Sequence, residues 1–156
     1  MKITVRLLLL FLCLQSAAIA QASLEPLDHF PKSTLAIYTP DMRKHEFKIW
    51  IADTEARREQ GLMFVKSLPA DQGMLFIFDA PRRVSMWMRN TLIPLDMVFI
   101  TVEGRVDSVA TNTKPMSERI ISSKGVVQTV LELKGGVALQ WNIGAGAVVK
   151  INAQAE

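Results

Sequence analysis

Alternation of apolar and polar positions dominates the chain from residue 34 onward. In HEFKIWIAD (45–53), Phe47, Ile49 and Ile51 fall on one face and Glu46, Lys48 and Trp50 on the other, the pattern of a half-buried strand. TLAIY (34–38) precedes it across a Pro40-Asp41 turn. DTEARREQG predicts a short helix, with Asp53 or Thr54 as N-cap, Glu55 in the first turn and Gly61 as the stop. MLFIFD (74–79) is apolar on both faces, which predicts a central strand. RVSMWMRN (83–90) and LDMVFITV (95–102) read as strands flanking a loop that holds Asn90 to Pro94. Glu103-Gly104 is a hairpin turn into RVDSVATN (105–112), and a looser segment with Pro115 and Gly125 follows. VVQTVLEL (126–133) and AVVKIN (147–152) are the last strands; between them Gly135-Gly136 leads into VALQWNIG (137–144), which fits a short helix or a strand. Many short strands without a regular βαβ spacing predict a mainly β fold at the margin of α+β. The expected architecture is a single antiparallel-rich barrel or sandwich over residues 34–156, with one or two short helices.

The first twenty residues follow a different rule. MKITVRLLLLFLCLQSAAIA has Lys2 and Arg6, an apolar run from Leu7 to Leu14, and Ala18-Ile19-Ala20. This is the pattern of a secretory signal peptide cleaved after Ala20, with Ala22 as the alternative point. Bulky Leu12 before Cys13 opposes a lipid-attachment signal there. The apolar run is shorter than the roughly 20 residues that span a bilayer, so no stable membrane anchor is expected after cleavage. Residues 21–33 (QASLEPLDHFPKS) read as a leader to the first strand.

Composition changes the picture once that segment is removed. Lys2 and Arg6 leave with it and no acid does, so the formal charge of +3 falls to +1. A nearly neutral domain offers no electrostatic case for nucleic acid as a partner. Cys13, the single cysteine, also leaves, which removes disulfides, thiol nucleophiles and thiolate metal sites. An export signal without disulfides points to the bacterial periplasm, or to secretion.

The two histidines, His29 and His45, have no neighbouring ligand at metal spacing, and no G-x-S-x-G elbow, P-loop or dinucleotide fingerprint is present. No cofactor is called for. Attention falls instead on MWMRNTLIPLD (86–96). Asp96 shares a strand face with Val98 and Ile100, opposite Leu95, Met97 and Phe99, and a carboxylate there must be hydrogen-bonded or paired. Its structural reading is an acceptor for the Asn90–Thr91 loop; its functional one is an acid, a base or a ligand-orienting group. Glu132 repeats the oddity between Leu131 and Leu133, and the two acids would form an acid–base pair if the fold brought them close. Trp87 beside Arg89 and Asn90 suits either a pocket wall or a core tryptophan with a solvated arginine. Of Arg57 and Arg58, at least one is expected to be solvated; the other can turn inward towards Asp96, Glu132 or an anion. Five methionines lie between residues 63 and 97, and Met63, Met86 and Met88 are the candidates for a thioether Cu(I) site. The commoner use of methionine is to fill gaps in irregular cores.

RREQGLMF, GMLFIFD, MWMRNTLIPLDMVFI and VLELKGG, in that order and spacing, resemble the domain of unknown function 192 family, also called uncharacterised protein family 0127. The resemblance covers roughly residues 45–152. It implies a compact, mostly β single domain, often exported in bacteria, and carries no activity with it. Positions matching the family pattern include Arg58, Gly61, Leu62, Met63, Gly73, Met74, Phe76, Trp87, Met88, Asn90, Thr91, Pro94, Leu95, Asp96, Leu131 and Glu132. Arg89 stands where the family commonly has lysine, and Lys134-Gly135-Gly136 replaces a more usual Asn-Ala-Gly. The leading expectation is a periplasmic small-ligand-binding or accessory module, its site formed by Arg58, Met63, Trp87, Arg89, Asn90, Thr91 and Asp96 with Glu132 nearby. The alternatives are a hydrolase using Asp96 and Glu132, the Met-lined copper site, and a fold-encoding motif whose function lies on a surface for an unidentified protein partner.

Overall fold

The computed structural model describes residues 24–152. Residues 1–20, read above as a signal peptide, and both expected cleavage points lie outside them. The strands are β1 (Lys32–Tyr38), β2 (Lys44–Ala52), β3 (Gln72–Arg82), β4 (Ser85–Met86), β5 (Leu95–Ile100), β6 (Val106–Ala110), β7 (Ile121–Ser122), β8 (Val127–Lys134) and β9 (Val148–Ile151). The helices are α1 (Glu55–Gln60) and α2 (Val137–Gln140). Seven strands form one curled sheet in the order β6-β5-β8-β3-β2-β1-β9, and β4 pairs with β7 in a small second sheet. The β2–β3 pair, whose crossover contains α1, is parallel, and the other pairings are antiparallel. The sheet curls far enough for its two edges to touch at a bridge between Arg105 and Val148.

Curling gives the sheet an inner and an outer face, and period-two side-chain alternation sorts residues between them. Ile49 and Ile51 of β2, Leu75 of β3, Val98 of β5 and Leu131 of β8 fill the inner core, which α2 closes with Val137 and Ala138. The outer face carries Met74 and Phe76, Leu95, Met97 and Phe99, and Val130, under a cover that includes Phe30, Leu62, Val84 and Met88. Both faces of β5 are therefore buried along its whole length. β3 is the middle strand of the seven, as its two-sided apolar character predicts.

One expectation is overturned, one open alternative is settled, and the leader gains contacts. Residues 83–90 do not make a strand: only Ser85–Met86 pair, and the chain then turns, with Met88 N–H bonded to the Ser117 carbonyl and Asn90 at φ 57°. The alternation arises because Val84 and Met88 dip into the outer core while Trp87 and Arg89 stay outside. Residues 137–144 resolve as the helix α2 followed by a turn. The leader also packs from its first described residues, since Phe30 is buried and Glu25 pairs with Arg57.

Candidate functional site

Asp96 is fully buried, on the inner face of β5. Its carboxylate accepts three backbone hydrogen bonds, from Asn112 N–H at 2.7 Å, Gly136 N–H at 3.0 Å and Ala138 N–H at 2.7 Å. Gly136 is the N-cap of α2, so a strand residue forty positions away caps this helix. The Asn90–Thr91 loop does not supply these bonds, contrary to the expectation for it. With three N–H donors, the Asp96 side chain staples β5 to the turn after β6 and to the β8–α2 turn.

Glu132 stands on the neighbouring strand, opposite Met97 and Met74 and therefore on the outer face. It is 4% exposed. No hydrogen bond or ion pair to another described residue reaches its carboxyl, and burial alone pushes its pKa up to about 8. At pH 7 the neutral acid predominates. Asp96 and Glu132 thus face opposite sides of the sheet, and the acid–base pair expected of them does not assemble.

Glu132 lies on the floor of a cleft of about 670 Å³ between α1, the outer end of β3, residues 85–91 and Ile120. Phe76, Leu62, Met63 and Met86 give it apolar walls, while Arg58, Arg82 and Arg89 face Glu55, Glu59 and Asp79 around it. Gly61 shapes one wall: at φ 49° a Cβ would come within 3.0 Å of the Phe76 ring.

The two helix arginines both depart from the solvated reading. Arg57 clasps Glu25 and reaches Asp53 at 3.0 Å. Arg58 meets neither Asp96 nor Glu132. Its Nη1 donates to the main-chain carbonyls of Asp53 at 2.7 Å and Ile77 at 2.8 Å, and its guanidinium lies over Phe78. Trp87 is not a core residue: it is 41% exposed, and its ring carries the Arg89 guanidinium 4.1 Å from its centroid. This stack forms part of the cleft wall.

The family model of DUF192, described as an uncharacterised ACR, matches residues 36–151. The chain belongs to this family. A crystal structure of a candidate transcription regulator from Sinorhizobium meliloti 1021 is 37% identical, with a TM-score of 0.77 over 78% of this chain and 95% of that one. A protein of unknown function from Novosphingobium aromaticivorans DSM 12444 is 32% identical, also with a TM-score of 0.77, over 82% of this chain and 91% of that one. No curated protein matches the chain.

The positions matching the DUF192 pattern therefore divide in two. Arg58, Met63, Trp87, Thr91 and Glu132, with the adjoining Arg89, surround the cleft. Asp96 serves the inner core, and Asn90 holds a turn: its carbonyl accepts Phe64 N–H, and its amide lies 3.8 Å from the Met63 sulfur. Met88 is buried with its sulfur accepting the Thr113 hydroxyl at 3.1 Å, so of the three thioethers weighed for copper only Met63 and Met86 reach the cleft. Sequence reasoning missed Phe78, Arg82 and Ile120. Period two within residues 74–79 already sets Phe78 on the face of Phe76, and carried past Asp79 it reaches Arg82; nothing local to Ile120 marks it.

Proposed function

We propose that this DUF192 chain is a small-ligand-binding module, exported to the periplasm by its N-terminal segment, with the Glu132 cleft as its binding site. One observation carries the proposal. The carboxyl of Glu132 is held neutral on an apolar floor, with no described residue to hydrogen-bond it. Glu132 borders the open cleft, and a strongly perturbed acid in such a place is a mark of binding or chemistry. A bound molecule would complete the hydrogen bonding that the protein leaves open. The near-neutral charge expected after export, and a cleft whose three arginines are matched by Glu55, Glu59 and Asp79, favour a small molecule over nucleic acid. The hydrolase alternative loses Asp96, which faces the other side of the sheet, and the copper alternative loses Met88, which is buried away from the cleft.

The test is native mass spectrometry of the chain purified from its own periplasm, set against the denatured mass. A discrete excess mass that is retained in the isosteric Glu132→Gln variant, which keeps a donor and an acceptor, and is lost or reduced in the apolar Glu132→Met variant is the expected result. The denatured mass also reads the cleavage point, after Ala20 or Ala22. A bare polypeptide in the wild type, combined with resistance of Glu132 to dicyclohexylcarbodiimide, which labels protonated carboxyls in accessible apolar sites, would overturn the assignment.

A further inference from the structure

Arg57 and Arg58 are neighbours on one short helix, and each guanidinium has the same side-on edge, formed by Nε–H and Nη2–H. In Arg57 that edge is taken: Nε donates to Glu25 at 3.1 Å and Nη2 at 3.0 Å. In Arg58 the opposite end is taken instead. Both recorded bonds are made by Nη1, to the carbonyls of Asp53 and Ile77, and no described residue accepts from Nε or Nη2. The side chain is only 16% exposed and is held over Phe78 at 5.6 Å. It therefore lines the cleft as a fixed fork with two donors unused. That geometry matches a carboxylate, which an arginine receives through two parallel N–H···O bonds. Holding the fork in place beforehand removes much of the ordering cost of binding.

The rest of the cleft says what the carboxylate is attached to. Phe78 and Met74 are four residues apart on β3, about 13 Å along an extended strand. Arg58 stands at the Phe78 end, and Glu132 is opposite Met74. Phe76, Leu62, Met63 and Met86 line the space between them, with no charge among them. Arg82 also lies over Phe78, at 5.0 Å, which adds a second cation at the same end. The counter-charge nearest the fork is Asp79, 3.8 Å from Nη1 and 90% exposed, a pair too solvated to occupy the site firmly. Glu55 and Glu59 are exposed on α1 and balance Arg82 and Arg89 in the lining.

Building on the cleft as a binding site, we propose that its ligand is an elongated apolar monocarboxylate. Its carboxylate lies on the Nε/Nη2 edge of Arg58, and a hydroxyl or carbonyl at its far end meets Glu132. Arg58 sets the charge of the ligand, the Phe76 wall its apolar body, and Glu132 its length.

Four matched probes decide this on the wild-type chain by ligand-observed NMR and calorimetry: 8-hydroxyoctanoate, octanoate, 1,8-octanediol and 8-amino-1-octanol. The expected order places 8-hydroxyoctanoate first and octanoate second, with the diol and the amino alcohol showing no saturable binding. Arg58→Lys keeps the charge but not the fork, and should weaken 8-hydroxyoctanoate at least about tenfold. Glu132→Met should bring 8-hydroxyoctanoate down to the level of octanoate. Equal binding of the diol or the amino alcohol, or silence from both carboxylates, overturns the proposal whatever the variants do. A neutral or cationic compound carried by the native chain would overturn it too, while leaving the cleft as a binding site. A chain that arrives bare and binds none of the four probes would remove both.

Discussion

Asp96 and Glu132 sit one step apart in the register of two paired strands, and both are buried acids among leucines and methionines. Their surroundings differ completely. Asp96 points into the curl of the sheet and is met by three backbone N–H groups from two turns. Glu132 points outward beneath a cleft and is met by none, and burial alone sets its protonation. A single step in register moves a side chain to the other face of a sheet, so the strand pattern that makes the two look alike also separates their roles. What distinguishes a structural acid from a candidate site here is the presence or absence of donors around it. Both are buried, Asp96 completely and Glu132 at the edge of the cleft.

The largest effect should come from removing the satisfied acid. Asp96→Ala leaves three buried N–H groups without an acceptor and opens a small cavity. The expected loss is about 4 kcal/mol, since each orphaned donor costs on the order of 1–3 kcal/mol and breaking a buried charged network falls in the same range. For a domain of this size that lowers Tm by roughly 15 °C. Calorimetry on the purified variant checks it. A drop of only a few degrees would mean that water or a rearranged turn replaces the staple, and the contrast with Glu132 would collapse.

Glu132→Gln should act in the opposite direction, and only above about pH 4.5. The carboxyl titrates near 4.5 when unfolded and near 8 when folded, so between these values the folded chain holds a proton that the unfolded chain has lost. Stability therefore falls as pH rises from 4.5, and the fall is complete above 8. Glutamine does not titrate. The variant should match the wild type near pH 4, then gain on it steadily, reaching an advantage of roughly 3 kcal/mol at pH 9 once relaxation around the charge is allowed for. Tm measured across this range in a non-amine buffer series reads the difference. Parallel curves for the two proteins would show that Glu132 is ionised, hydrated or partnered in solution.

The sequence disclosed the faces more fully than the partners. Alternation in β2 assigned Phe47, Ile49 and Ile51 to the core correctly, and in β5 it put Asp96 with Val98 and Ile100, because period two is a local property of extended backbone. The donors to Asp96 lie 16, 40 and 42 residues further along, beyond any local pattern. Thr91 was the nearer and wrong candidate. Residues 83–90 alternate like a strand because they cover one, and only the pairing of β4 with β7 shows where the ladder stops. Arg57 and Arg58 look equally free on a six-residue helix; the acceptors that separate them, Glu25 and the Ile77 carbonyl, lie 32 and 19 residues away. The cleft joins α1, β3, β8 and two loops, so the sequence offered its members one at a time.

The smallest effect sharpens the same comparison through the helix caps. α1 is capped by its own Thr54, whose exposed hydroxyl accepts Arg57 N–H at 3.3 Å. α2 is capped by Asp96 from a distant strand, under complete burial. The first bond is local, long and replaceable by water; the second is short and sealed. Thr54→Ala should therefore cost about 1 kcal/mol, a fall of a few degrees in Tm, against several times that for Asp96→Ala. It should also loosen the helix that carries Arg58, so 8-hydroxyoctanoate binding should weaken slightly while its preference over the diol persists. If Thr54→Ala proved as damaging as Asp96→Ala, sealing from water would not be what makes Asp96 structural. The division between the inner acid and the outer one would then need a different cause.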